Sequence, residues 1–419
     1  MSKSTNFSGQ PIFNQLLCYI NRSRIAKIAQ KHGAEHYVKQ FTTYHHVVVM
    51  LFSVIECYHS LREVIIGLLS HAHKLSHLGL FYIVRRSTLS EANARRNSAV
   101  FEDIYMDVYQ RHGSSLADSR LNKLDIKRLF AMDSTTITLF KAILKGCGRN
   151  SKEGKKKGGI KAHTIINLDN NMPCFIRYTE AVRHDHVLLS EVHLPKGSVI
   201  VFDRGYVDYP QYQRFTNESV YYVTRLKDNA VYESGEEYDI PEEADNGILK
   251  DEEIYLSYKE KNEKEEKLHR CRRIVYWDNE SRRLLVFLTN NFELTAEQVA
   301  LIYRKRWQIE LLFKQLKQNF PLKYFLGDNQ NAIEIQIWVS MLANLLISLI
   351  RSKVKRKWAF SNLVSVIRQQ LMSYIDIYRF LEDPEACWLR VIKERKDFYQ
   401  NSLFPEMGKA YFLNMKNYH

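Results

Sequence analysis

The chain has 419 residues, with 61 Lys and Arg against 47 Asp and Glu and a formal net charge of +14 at pH 7. That length supports more than one core, so several domains are expected. The charge argues against an acidic solvating chain and points to an acidic partner, most often nucleic acid, a generally basic surface being the plain alternative. Cys18, Cys57, Cys147, Cys174, Cys271 and Cys387 show no CxxC spacing, which speaks against a zinc ribbon or a disulfide frame. They read as reduced thiols of a cytoplasmic protein. The N-terminus lacks the apolar core of a secretory signal.

Residues 1–120 read as helical and basic, with 12 Lys and Arg against 4 Asp and Glu in the first hundred. Ser60–Glu63 and Thr88–Glu91 fit capping boxes, the first opening a helix over LREVIIGLLS, the second one over SEANARRNSAVFEDIYMDVYQ. Between them lie His71, His73, Lys74, His77, Arg85 and Arg86. A helix, a short connection and a second helix bearing Arg95 and Arg96 would suit insertion into a DNA groove, as in a helix-turn-helix, and an ordinary helical bundle with a basic surface would look the same.

From about residue 125 the period shortens. LFAMDSTTITLF, IKAHTIINL, MPCFIRYTEAV and SVIVFDRGY are short runs rich in β-branched and aromatic residues, with DHVLLSEVHL as a short helix between the last two. YYVTRLKDN follows, then an acidic stretch over 228–253 that is a poor match for a phosphate backbone. Further strands are expected at DEEIYLSYKE, HRCRRIVYW and RRLLVFLTNN. Helical periodicity returns after Thr295, itself the start of a capping box with Gln298. The uncharged run Ile335–Ile350 is shorter than the roughly 20 residues a bilayer needs and reads as a buried core helix.

Three acids stand out: Asp133 and Asp203, each closing an apolar strand-like run, and Glu310, inside the basic helix TAEQVALIYRKRWQIELLFKQLKQ. Each has a plain reading as well. A lone Asp caps turns, and Glu310 could simply pair with Arg306 or Lys314 on a solvated helix. On a helical wheel, Tyr303, Arg306, Glu310 and Lys317 share one face with Lys314 beside it. Two strand-borne carboxylates and one helix-borne carboxylate can converge on divalent cations, the arrangement that serves in-line attack on a phosphodiester. Like charges held together need such compensation, and oxygen ligands favour Mg²⁺ or Mn²⁺.

Tyr303-x2-Arg306-x3-Glu310-x6-Lys317, Asp133 before Ser-Thr-Thr, and Asp203 in Phe-Asp-Arg-Gly-Tyr together resemble the motifs of bacterial cut-and-paste transposases of the insertion-sequence-4 family. The N-terminal segments FNQLLCYINRSRIAKIAQKHGAEHYVKQFTTYHHVVVMLF and RRSTLSEANARR are similar to the helical domain of its Bacteroidetes-type members. The resemblance implies an α/β protein with an RNase H-like core interrupted by a β-rich insertion. The expected layout is a helical DNA-binding domain at 1–120, core at 121–221 and 293–352, insertion at 222–292, and a helical C-terminal region at 353–419.

The resemblance further implies that Asp133, Asp203 and Glu310 are catalytic and hold two Mg²⁺, with Mn²⁺ able to substitute. Tyr303, Arg306 and Lys317 would grip phosphates. Lys314, Arg95, Arg96 and Arg225 are further DNA-contact candidates. Some relatives stack a flipped base on an aromatic of the insertion, for which Trp277 and Tyr276 are candidates. The expected partners are double-stranded DNA, as terminal inverted repeats and target, and a second copy of the chain. Two other readings share these residues: a catalytically silent DNA-binding protein derived from a transposase, and a nuclease that does not join ends. Lys152, Lys155, Lys156, Lys157 and Lys161 could track a DNA backbone or form a solvated loop. His184-Asp185-His186 lacks the further spacing a zinc site needs.

Overall fold

Apolar and polar residues alternate too little in Leu129–Thr138 for a half-exposed strand, and the strand (β1) lies inside a sheet with its start buried on both faces. The computed structural model of the protein describes residues 9–117, 126, 128–138, 148–149, 157–180, 185–240, 247–260, 265–386, 389 and 393. Lys152, Lys155, Lys156, His184 and the segment after 393 lie outside the described residues.

Six helices come first: α1 (Ile12–Leu17), α2 (Arg22–Lys31), α3 (Thr43–Ile55), α4 (Leu61–Ser70), α5 (Arg86–Arg95) and α6 (Ala99–His112). After β1 come β2 (Gly148–Arg149), β3 (Lys157–Asn167), β4 (Met172–Glu180), β5 (Val199–Phe202), α7 (Tyr209–Asn217) and β6 (Tyr221–Arg225). Then follow β7 (Glu233–Glu237), β8 (Ile248–Tyr258), β9 (Lys267–Asp278) and β10 (Arg283–Thr289). The chain continues with α8 (Ala296–Lys305), α9 (Trp307–Asn319), α10 (Gln330–Ser352), α11 (Phe360–Gln370) and α12 (Ile377–Glu382).

Among the described residues, ten strands form one mixed sheet, ordered β2-β3-β1-β5-β6-β10-β9-β8-β7, with β4 paired to β3. β1, β3 and β4 are antiparallel neighbours, while β5 and β6 run parallel to β1. β6 then accepts β10 antiparallel, so the β-rich segment extends the same sheet. The expected boundary between 221 and 222 falls inside β6.

Successive residues of β10 face opposite sides. Leu288 joins a core with Phe202, Tyr212, Phe215 and Tyr222, which seats α7. Phe287 meets the ring of Tyr303 on α8 at 5.0 Å. Helices α7 and α8 thus cover opposite faces.

The chain divides into two compact units. One comprises Met1–Asn21, Ile66–Ile83 and Leu346–His419; the other comprises Arg22–Ile65 and Val84–Leu345. In the first, Gln15 Nε2 donates to Ile375 O at 2.7 Å and Lys74 Nζ to Met372 O at 2.9 Å. The stretch expected as a single helical domain at 1–120 is therefore shared between the units. Helix α10 is long and apolar enough to cross a membrane by length and composition alone, and it is mostly buried, as a core helix would be.

Two expectations for the N-terminal helices are corrected. The helix expected to open at the Thr88 box begins at Arg86 with no side-chain cap and stops at Arg95, and α6 starts afresh at Ala99. Asn331 of α10 makes the break: its Nδ2 donates to Asn93 O and Arg96 O, and its Oδ1 accepts from Ser98 N. The link from α4 to α5 spans residues 71–85 and contains a 3₁₀ turn at Ala72–Leu78, far longer than the three-to-four-residue turn of a helix-turn-helix.

Candidate active site

Asp133 and Asp203 are brought together by strand register. Met132 of β1 is paired with Phe202 of β5 in parallel, so the residue that follows each is an aspartate, Asp133 inside β1 and Asp203 just past the end of β5. Strand neighbours lie about 5 Å apart. Asp203 leaves β5 at a 3₁₀ turn, Arg204–Tyr206, whose Tyr206 N–H returns to Asp203 O at 3.1 Å. Below that turn, buried His163 faces Thr179 Oγ1 at 2.8 Å and Tyr206 Oη at 3.4 Å. The sequence reading passed over this support; its signal was the Tyr that ends Asp-Arg-Gly-Tyr.

The third acid arrives on a helix. Thr295 and Gln298 close the expected capping box and start α8. What reads in sequence as one helix breaks at Arg306, which is both the last cap of α8 and the first of α9. The break leaves all four motif residues on the site. Arg306 Nη2 meets Glu310 Oε1 at 2.8 Å and Arg306 Nη1 meets Asp133 Oδ2 at 3.4 Å. Tyr303 Oη donates to Asp203 Oδ1 at 3.2 Å. Lys317 Nζ donates to Thr135 Oγ1 at 2.5 Å and to Thr136 O at 3.4 Å. Thr135 was an unpredicted partner, signalled only by the hydroxyl run after Asp133.

The electrostatics are strained around Asp133. Burial pushes its carboxyl up to about 6, and the nearby charges of Glu310 and Asp203 push the same way. The Ser134 N–H and Arg306 oppose that rise without cancelling it. Burial likewise raises the Tyr303 phenol and lowers the Lys317 ammonium. Two arginine N–H groups here are buried without an acceptor: Arg306 Nε and Arg225 Nε. Arg225 closes β6 beside β5, and its charge is felt at Tyr303.

The remaining candidates scatter. Lys314 is exposed one turn beyond Glu310, and Arg95 is exposed at the end of α5. Arg96 is a correction: it is buried, and its guanidinium donates to Ala34 O and Phe41 O, so it holds the helices together and offers no cation to DNA. On β9, Tyr276 packs on Phe287 and so shares the face of Tyr303. Trp277, by strand alternation, lies on the opposite face, 37% exposed.

Three carboxylates with no soft ligand suit a hard divalent cation. Among the described residues, however, no three His, Cys, Asp or Glu are gathered tightly enough to hold one as they stand. The guanidinium of Arg306 lies between two of the acids. The donor chemistry fits, and the present spacing is that of a site closed on its own cation.

Two aspartates side by side on adjacent parallel strands, faced by a helix with a glutamate and basic partners, have the outline of a phosphoryl-transfer site. Residues 125–346, more than half of the chain, match the family model of the transposase DDE domain, and residues 8–81 match a domain of unknown function. A protein of Synechocystis named for transposition of the insertion sequence element IS4SA is 29% identical over 74% of this chain and 82% of its own length. Transposase y4zB of Sinorhizobium fredii is 28% identical over 62% and 69%. A transposase named for the element IS5377 of Geobacillus stearothermophilus is 25% identical over 58% and 62%. Among solved structures, the piggyBac transposase synaptic complex with hairpin DNA aligns over 93% of this chain and 85% of that one, at 10% identity and a TM-score of 0.40, too loose a likeness to carry an argument.

The chain belongs to the transposase DDE-domain family. It is a DNA transposase of the insertion-sequence kind, an enzyme acting on DNA, and membership carries a general dependence on divalent metal.

Proposed function

We propose that the protein catalyses cut-and-paste transposition of an insertion sequence, with Asp133, Asp203 and Glu310 as its catalytic carboxylates. The observation that carries this reading is the meeting of all three: two aspartates at neighbouring positions on adjacent parallel strands, and a helix tied to the first by Arg306. The strand order supports an RNase H-like core. An antiparallel trio, β4-β3-β1, is extended by parallel β5 and β6, with one acid midway along β1 and the other just past the end of β5. Strands β7–β10 are then the insertion, and the helical segments before β1 and after α10 supply DNA-binding and C-terminal regions.

The three carboxylates would hold two Mg²⁺, which supply Lewis acidity to the attacking and leaving oxygens of an in-line displacement. In the first reaction water attacks a phosphodiester at the element end and a 3′-hydroxyl leaves. In the second that 3′-hydroxyl attacks target DNA and a target 3′-oxygen leaves. Both are phosphoryl transfers at one site and need no energy cofactor. Arg306 and Arg225 offer buried N–H donors with no internal acceptor, as a phosphate-binding wall would. Tyr303, Lys317 and the exposed Lys314 extend that wall. Two ends must be handled together, so the working form is a homodimer on paired terminal inverted repeats.

The test is cleavage and joining on a labelled duplex from the element end with Mg²⁺, comparing wild type with Glu310→Ala. Nicked and joined products from the wild type alone are expected. Nicking without joining of pre-cut ends would make the protein a nuclease. Equal binding and no nicking by either protein would make it a DNA-binding relic.

A further inference from the structure

Arg306 occupies a position that its role as a phosphate grip does not explain. Its guanidinium ion-pairs with two of the three acids at once, Glu310 at 2.8 Å and Asp133 at 3.4 Å. The two N–H groups spent on this bridge are not at the same time spent on a phosphate, and Asp133 Oδ2 and Glu310 Oε1, given to the guanidinium, are not at the same time given to a metal. Nor is the guanidinium fully satisfied where it stands, because its buried Nε has no acceptor. The side chain also projects from the junction of α8 and α9, where Arg306 caps both helices and its backbone N–H and C=O make tighter three-residue bonds to Tyr303 O and Ile309 N. A half-buried cation with a bridge on one side and an unused buried donor on the other is built for two positions.

We propose that Arg306 is an exchangeable counter-ion, bridging Asp133 and Glu310 before substrate arrives and moving to a DNA phosphate when a divalent cation takes those carboxylates. Metal and DNA then bind cooperatively, each removing a partner that the other must displace. The proposal rests on the reading of the three acids as metal ligands. By linkage the coupling is reciprocal: DNA tightens metal binding by the factor by which metal tightens DNA binding. In the protein without DNA, Arg306 acts as a positioning residue that keeps two like charges side by side and suppresses idle metal loading.

The test is Mn²⁺ binding by the full chain, followed through the electron paramagnetic signal of the free ion, with and without a pre-cut duplex from the element end. For wild type, the duplex is expected to tighten Mn²⁺ binding by about tenfold or more. Arg306→Gln should bind Mn²⁺ without DNA at least about tenfold more tightly than wild type, and the duplex should add little. Equal or weaker binding of Mn²⁺ by Arg306→Gln would overturn the proposal. Arg306→Lys keeps a charge but loses the two-pronged bridge, and covers the case in which Arg306→Gln does not fold. It should show intermediate Mn²⁺ affinity without DNA, and affinity unchanged from wild type would count against the bridge. Glu310→Ala separates the two layers of the argument. If it binds Mn²⁺ as well as wild type does, the ligand assignment itself falls, and the counter-ion with it.

Discussion

Two clusters in one sheet each set three acids among arginines, and they are wired in opposite ways. On β8, the consecutive acids Asp251, Glu252 and Glu253 are all buried, and each has its own arginine on β9. Arg272 grips Asp251 with Nε at 2.8 Å and Nη2 at 2.5 Å, Arg273 binds Glu252, and Arg270 Nη2 meets Glu253 at 2.5 Å. Hydrogen bonds from Lys250 and Arg273 outweigh burial at Glu252, and the bond from Arg270 dominates at Glu253, so both carboxyls lie below their ordinary range. At the site, Asp133 and Glu310 share one arginine while Asp203 accepts from the Tyr303 hydroxyl, and Asp133 stays up at about 6. Matched charge makes the ladder a structural element; deficient positive charge makes the site receptive to an added cation. Of the acidic stretch over 228–253, which looked merely unsuited to DNA, Asp251, Glu252 and Glu253 lie inside the sheet while Glu233, Glu236 and Glu237 on β7 stay exposed.

That contrast can be broken from either side. The largest effect belongs to the site: Glu310→Gln should lower strand cleavage by three orders of magnitude or more, the scale of losing a group that acts within a unit. Its thermal midpoint should stay within a few degrees of wild type; a collapse of the fold would show that Glu310 is structural. In the ladder the order reverses. Asp251→Ala strands buried Arg272 and should cost about 3–5 kcal/mol in denaturant unfolding. Cleavage per folded molecule should be unchanged, and a large loss of it would erase the distinction between the clusters.

Two pH effects of opposite sign sharpen the comparison. His269 is buried on β9 between Gln213 Oε1 at 2.7 Å and Tyr222 Oη at 2.8 Å, and burial holds its pKa down at about 4. The unfolded chain protonates near 6.5 while the folded one stays neutral, so stability present above 6.5 is lost as pH falls through about 4. The loss should approach about 3 kcal/mol, and His269→Gln should flatten that slope in urea titrations across the range. Asp133 works the other way. Its folded pKa of about 6 lies above the ordinary aspartate value of 3.8, so its favourable contribution is complete below 3.8 and lost as pH rises through 6. Asp133→Asn should therefore match wild type near pH 3.8 and exceed it by about 2 kcal/mol above pH 7, stabilising a protein it inactivates. A destabilised Asp133→Asn at pH 7 would refute the charge deficit. The smallest effect is expected at Arg304, whose pairs with Asp278 and Glu280 are exposed: Arg304→Ala should change stability by less than about 0.5 kcal/mol.

Much of this was legible in the residues. Runs of β-branched and aromatic residues ended by Asp marked β1 and β5, because strands bury apolar side chains on both faces and acids cannot follow them inward. Thr295 and Gln298 marked the start of α8, because a cap is satisfied by residues three apart in sequence. The spacing of Tyr303, Arg306, Glu310 and Lys317 marked one helix face. Such features are local, so the chain alone determined them.

Tertiary structure decided what depends on partners distant in sequence. Asn331, more than 230 residues away, satisfies the backbone groups that let α5 end at Arg95, and distant carbonyls turned Arg96 from a DNA-contact candidate into a buried tie. Arginines of β9 made a surface-looking acid run into core. A parallel register placed Asp133 beside Asp203, and a helix break set Arg306 between Asp133 and Glu310. Propensity and capping act within a few residues; burial, charge compensation and hydrogen-bond satisfaction depend on which distant groups the fold brings into reach.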